Sequence, residues 1–122
     1  MAGSYPVVTL CGSTRFKDDF VRVQEELTLK GNIVISVGLF GHADGLYGTQ
    51  ITPEVKTMLD DMHKRKIDLA DSIFVINRDG YIGESTASEI AYSQHPDTDF
   101  VDVLRLTLDA VLQYDPESPP TA

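Results

Sequence analysis

The chain alternates between short continuous apolar runs and longer stretches with helical spacing. Residues 6–11 (PVVTLC) form the first run, closed by Gly12-Ser13-Thr14. A run of this length bounded by turn residues predicts a strand buried on both faces. From Arg15 to Lys30 the period changes, and Phe16, Phe20, Val23 and Leu27 recur at the spacing of one helical face. Lys30 and then Gly31 supply a cation in the last turn and a glycine just past the end, the usual helix stop. Residues 32–38 (NIVISVG) are a second apolar run. Strand, helix and strand at this spacing predict a βαβ unit with a parallel sheet.

Residues 39–52 form a long glycine-rich loop, a length more often functional than filler. Thr52-Pro53-Glu54 predicts the next helix start: Thr as N-cap, Pro at N1 and an acid in the first turn. Val55, Leu59, Met62 and Lys66 or Ile67 mark its stripe, which ends near Leu69. Residues 72–77 (SIFVIN) predict a third strand and 78–84 a glycine-bearing loop; Ser85 or Thr86 then opens a short helix to about Ser93. Val101, Leu104, Leu108 and Val111 or Leu112 follow a helical period, which predicts a helix over 99–113, although DVLRLTL also admits the alternation of a strand. The fold class expected is α/β: a single three-layer domain over residues 1–114, with a small, mainly parallel sheet and helices on both faces. The polar, Pro-rich residues 115–122 predict a disordered tail.

Charge narrows the partners. In 122 residues, 10 Lys and Arg face 19 Asp and Glu, a net charge of −9. That argues against a nucleic-acid polymer and against an anionic membrane surface. A small anion remains compatible, because one helix N-terminus and one Arg suffice to hold a phosphate. The absence of a long apolar run or an N-terminal targeting pattern leads to the expectation of a cytoplasmic protein. The single cysteine excludes an intrachain disulfide and a Cys-built zinc site. With no HxxxH or HExxH spacing, neither a metal nor a cofactor is expected.

Three constellations remain as candidate chemistry. Cys11-Gly12-Ser13-Thr14-Arg15 follows the first strand, where open α/β sheets bind ligands. Backbone N–H groups, two hydroxyls and Arg15 suit a phosphate; a plain capped turn is the other reading. Cys11 reads either as a buried small hydrophobe or as a thiol at a helix start. After the third strand, Gly83, Ser85 and Glu89 lie at the same edge, with Ser85 and Glu89 at i, i+4. A carboxylate there reads as a nucleophile or base, or as part of an ordinary capping box. On the second helix, Asp61 and His63 stand among charges whose i, i+4 order fits a solvated face. In the long loop Phe40, His42, Asp44 and Tyr47 suit a flat base; a surface loop with its own small hydrophobic plug is the other reading.

Three segments in this order, VVTLCGSTRF, KIDLADSIFVIN and YIGESTASEIAYS, resemble the nucleoside 2-deoxyribosyltransferase-like superfamily, and within it the deoxynucleoside 5′-monophosphate N-glycosidases. The similarity spans roughly residues 6–94. It implies that Gly12, Ser13 and Arg15 hold a 5′-phosphate, with the Thr14 hydroxyl beside them, and that Glu89, in Glu89-Ile90-Ala91-Tyr92-Ser93, is the nucleophile. The reaction so implied needs an acid for the leaving base, a role open to His63 or Asp61, and Gly83, Ser85 and His42 are placed to be further substrate contacts. The family's second-helix Asp, eight residues before the Asp of the Ala70-Asp71 join, is His63 in this chain. The activity implied is hydrolysis of the N-glycosidic bond of a (deoxy)nucleoside 5′-monophosphate by a homodimer. The alternatives are a nucleoside deoxyribosyltransferase and a non-catalytic nucleotide-binding or sensing module.

Overall fold

The computed structural model describes residues 3–38, 40, 52–77 and 81–94, together with the backbone of 102–104. The elements are β1 (Val7–Gly12), a 3-10 turn (Thr14–Phe16), α1 (Lys17–Leu29), β2 (Ile33–Ile35), α2 (Pro53–Asp68), β3 (Ser72–Ile76), α3 (Glu84–Ser93) and β4 (Asp102–Leu104). The four strands form one sheet in the order β2-β1-β3-β4, every neighbouring pair parallel. The chain steps from β1 outward to β2, then returns past β1 to β3. Right-handed crossovers in opposite directions put the connecting helices on opposite faces. The packing agrees. Val8, Leu10, Phe74 and Ile76 meet Phe20, Val23 and Leu27 of α1. The alternate residues Cys11, Ile73 and Val75 meet Ile67 of α2 and Ile90 of α3.

Most expected elements are present with small shifts. Thr52 caps α2, its Oγ1 accepting from the Val55 N–H at 3.1 Å. Gly31 ends α1 at φ +90°, a left-handed position where a side chain is strained. Three expectations change. Residues Asp102–Leu104 are a strand, not part of a helix over 99–113, because the open edge of β3 offers unpaired backbone groups that an extended Asp-Val-Leu satisfies. Met62 is 45% exposed, and His63 takes its place in the buried stripe of α2. Gly83, not Ser85 or Thr86, is the N-cap residue of α3. The expected tail 115–122, and the rest of the expected helix over 99–113, lie outside the described residues. Among the described residues no helix is long and apolar enough to cross a membrane.

Two local devices fix the central pairing. The Asp71 carboxylate accepts from the Val7 N–H at 2.8 Å, and the Asp71 N–H donates to the Val7 carbonyl at 2.8 Å. At the other end Gly12 pairs with Ile76, where an added Cβ would sit 2.9 Å from the Ile76 carbonyl oxygen and 3.1 Å from its Cβ. The strands close only because Gly12 has no side chain. Gly12→Ala should destabilise the fold by about 1–3 kcal/mol, the usual cost of overpacking a tight site. Urea unfolding checks this: a lowered midpoint with an unchanged slope is expected.

Candidate functional site

A cleft of about 500 Å³ opens at the carboxyl edge of the sheet, beside the switch point between β1 and β3. Gly12, Ser13, Thr14 and Arg15 line it from the turn after β1. Gly83, Ser85, Thr86 and Glu89 line it from the start of α3, and Asp60, His63 and Lys66 from α2. Val37 and Gly38 close the side beyond β2. The sequence-nominated turn and the sequence-nominated glutamate therefore share one cavity.

The turn is internally braced. Ser13 caps the 3-10 turn, its Oγ accepting from the Arg15 N–H at 3.4 Å and from Arg15 Nε at 3.1 Å. The guanidinium carbon of Arg15 stands 4.9 Å from the centroid of the Tyr81 ring. Tyr81 is held edge-on by Phe16, with centroids 5.8 Å apart. Tyr81 lines the cleft and was not singled out from sequence. Its signal was an aromatic inside a glycine loop at the ligand-binding edge. Although the chain is acidic overall, Arg15, Lys56 and Lys66 converge on this cavity. Lys66 also donates to the Ser36 carbonyl at 2.9 Å, tying α2 to the residue after β2.

The floor holds a polar cluster. Cys11 Sγ is 3.4 Å from His63 Nε2, and His63 Nε2 is 3.5 Å from Glu89 Oε2. The His63 and Glu89 side chains are 9% and 14% exposed, and Cys11 is fully buried. Burial dominates the titration of all three. It lowers His63 to about 4, helped by the positive charge of Lys66 and opposed by the Leu10 carbonyl and Asp60. It raises Glu89 to about 7, with Asp60 adding to the rise, while the Cys11 thiol, Lys64 and Lys56 oppose it. It raises Cys11 well above the usual thiol range, with Glu89 adding to the rise. The His63–Glu89 contact is thus no ion pair between about pH 4 and 7, where both groups are neutral. Cys11 is a protonated thiol at neutral pH, which favours the buried-hydrophobe reading over the reactive one.

The remaining nominated residues divide. Asp61 lies outside the cleft: its side chain is 70% exposed and pairs with Arg65 at 3.9 Å. The helical turn of about 100° per residue gives the cleft-facing position to Asp60 instead. Glu84 also lines the cleft but is exposed, so Glu89 is the enclosed carboxylate. Phe40 packs edge-to-face on Phe20 of the core, centroids 5.4 Å apart, rather than lining the cleft. His42, Asp44 and Tyr47 lie outside the described residues.

Because folding raises the Glu89 pKa from 4.5 to about 7, it favours the protonated carboxyl. That stability is present below about pH 4.5 and is lost as pH rises through about 7. Glu89→Gln cannot ionise. It should match the parent chain in stability near pH 4.5 and exceed it at pH 8, by on the order of 1–3 kcal/mol, since one pKa unit is about 1.4 kcal/mol. Urea titrations across that range measure the gap; a gap that does not widen with pH would show that the carboxyl is not desolvated.

The chain matches no protein-family model, no curated protein and no solved structure.

Proposed function

We propose that the cleft hydrolyses the N-glycosidic bond of a (deoxy)nucleoside 5′-monophosphate. The observation that carries this reading is that an enclosed carboxylate, Glu89, and an Arg-bearing glycine turn, Gly12–Arg15, line one cleft of about 500 Å³. That volume lies in the range of small-ligand sites. The backbone N–H groups of the turn, the Ser13 and Thr14 hydroxyls and Arg15 hold the phosphate. Glu89, in its carboxylate form, attacks the anomeric carbon. A glycosyl ester forms as the carbon–nitrogen bond breaks, and the base leaves with that electron pair and takes up a proton. Water then attacks the same carbon, losing a proton, and frees the Glu89 carboxylate. With an acceptor base in place of water, the cycle becomes a transfer.

The acid for the leaving base is where this chain departs from the family pattern. His63 stands at the position of the family's Asp, and alone it is neutral at pH 7. An anionic phosphate in the cleft favours the protonated ring, so bound substrate has to create the imidazolium.

Chromatography of free base after incubation with a panel of nucleoside monophosphates tests the reading. Glu89→Gln should lower base release at least about a hundred-fold, as expected for loss of a principal electrostatic group. kcat/KM should be level between about pH 4 and 7 and fall above about 7, because the reacting form pairs an ionised Glu89 with a protonated His63. Retained activity in Glu89→Gln with loss in Glu84→Gln would move the nucleophile to Glu84. Binding of a monophosphate with no base released on long incubation would instead identify a nucleotide-sensing module.

The phosphate role has its own test. Arg15→Ala should weaken monophosphate binding roughly ten- to a hundred-fold, the range for a charge-assisted contact of about 1.5–3 kcal/mol. Binding of the matching nucleoside should change far less. Equal losses, measured by calorimetry, would show that Arg15 does not read the phosphate.

A further inference from the structure

Cys11, His63 and Glu89 come from β1, α2 and α3, and their donor atoms all lie within 4.8 Å of one another. In a tetrahedral zinc site the bonds are about 2.3 Å to sulfur, about 2.0 Å to nitrogen and about 2.0–2.2 Å to oxygen, so neighbouring ligand atoms stand roughly 3.3–3.6 Å apart. The Sγ–Nε2 and Nε2–Oε2 separations here are 3.4 and 3.5 Å. Two edges of such a tetrahedron are already in place. A second observation concerns the same oxygen. Glu89 Oε2 is buried and makes no well-formed hydrogen bond among the described residues, His63 Nε2 standing 3.5 Å from it. Native structures rarely leave a carboxylate oxygen so, and an ion held there would account for it. His63 and Glu89 line the cleft, which supplies an entry path and a fourth position for water.

We propose that Cys11, His63 and Glu89 bind one Zn2+ ion, with the fourth coordination position open to the cleft. On binding, the thiol gives its proton to solvent, as does Glu89 where it is protonated. A thiolate and a carboxylate then balance the charge of the ion, with the imidazole as the neutral ligand. Three ligands and an open position are the arrangement of catalytic rather than structural zinc sites. The proposal does not rest on the glycosidase reading, but it constrains it. Zinc held on Glu89 Oε2 would draw charge from the carboxylate that has to attack the anomeric carbon, so zinc occupancy should slow base release.

The test uses the untagged full chain, stripped with a chelator and titrated with Co2+ and then Zn2+. One Co2+ per chain is expected, with the intense visible bands of four-coordination and a thiolate-to-cobalt charge-transfer band that Zn2+ abolishes. Cys11→Ser should lose that band. Its zinc affinity should fall by more than the roughly 10–100-fold that loss of an outer-shell partner costs. Glu89→Gln should keep the band and lose affinity. Circular dichroism establishes that each variant is folded; should Cys11→Ser unfold, unchanged zinc affinity in Glu89→Gln overturns the proposal. A pale six-coordinate cobalt spectrum, or wild-type zinc affinity in folded Cys11→Ser, overturns it too. None of these readouts needs a substrate. A chain that binds zinc this way but, once stripped of metal, releases no base from any monophosphate sinks the glycosidase reading and leaves the metal site standing.

Discussion

The parallel pairing of β1 with β3 is the constraint on which the rest of the molecule depends. Its register runs from Val8 opposite Ser72 to Gly12 opposite Ile76. Side chains alternate between faces, so this register gives Leu10 to the α1 face and Cys11 to the face of α2 and α3. A slip of one residue would exchange them and bring a leucine to the floor of the cleft. The pairing also brings the two strand ends level. The turn after β1 and the loop before α3 therefore rise from the same edge and enclose one cavity.

Desolvation governs what that cavity can do. A histidine and a carboxyl 3.5 Å apart would form an ion pair at a wet surface. Behind the cleft, burial is the largest influence on both and drives each toward its neutral form. The result is a carboxyl that titrates near neutrality, which a nucleophile or a metal ligand can exploit, and which an ordinary surface glutamate is not. The same burial acts against stability at high pH, a conflict typical of sites maintained for function.

The strands and helices up to Ser93 were legible because their signals are local. The apolar run before Gly12, the Phe16-Phe20-Val23-Leu27 stripe and the Thr52-Pro53-Glu54 start each lie within one element. That the Gly12–Arg15 turn and Glu89 would lie at the carboxyl edge, where they line the cleft, was legible for the same reason. The Cys11–His63 contact was not, since 52 residues separate the pair. A trace of it existed: Val55, Leu59, His63 and Ile67 repeat every four residues, with a histidine standing where an aliphatic residue would serve packing alone. Asp61 was misjudged against Asp60 because adjacent acids cannot be ranked until the helix is seated. β4 was passed over because DVLRLTL fits both a helical period and a strand alternation; the free edge of β3 decides between them, and that edge belongs to the tertiary fold.

The polar cluster draws one residue from each of three elements, β1, α2 and α3. No fragment of the chain contains it. Contacts that span this much sequence form late and break together when the domain opens. The short helix α3, capped by a glycine with no side-chain bond, is the weakest of the three supports. Fraying of that helix alone would withdraw Glu89 while the sheet stayed intact. Chemistry at this floor is thus a stricter reporter of the native state than circular dichroism, and it should disappear on warming before the secondary structure does.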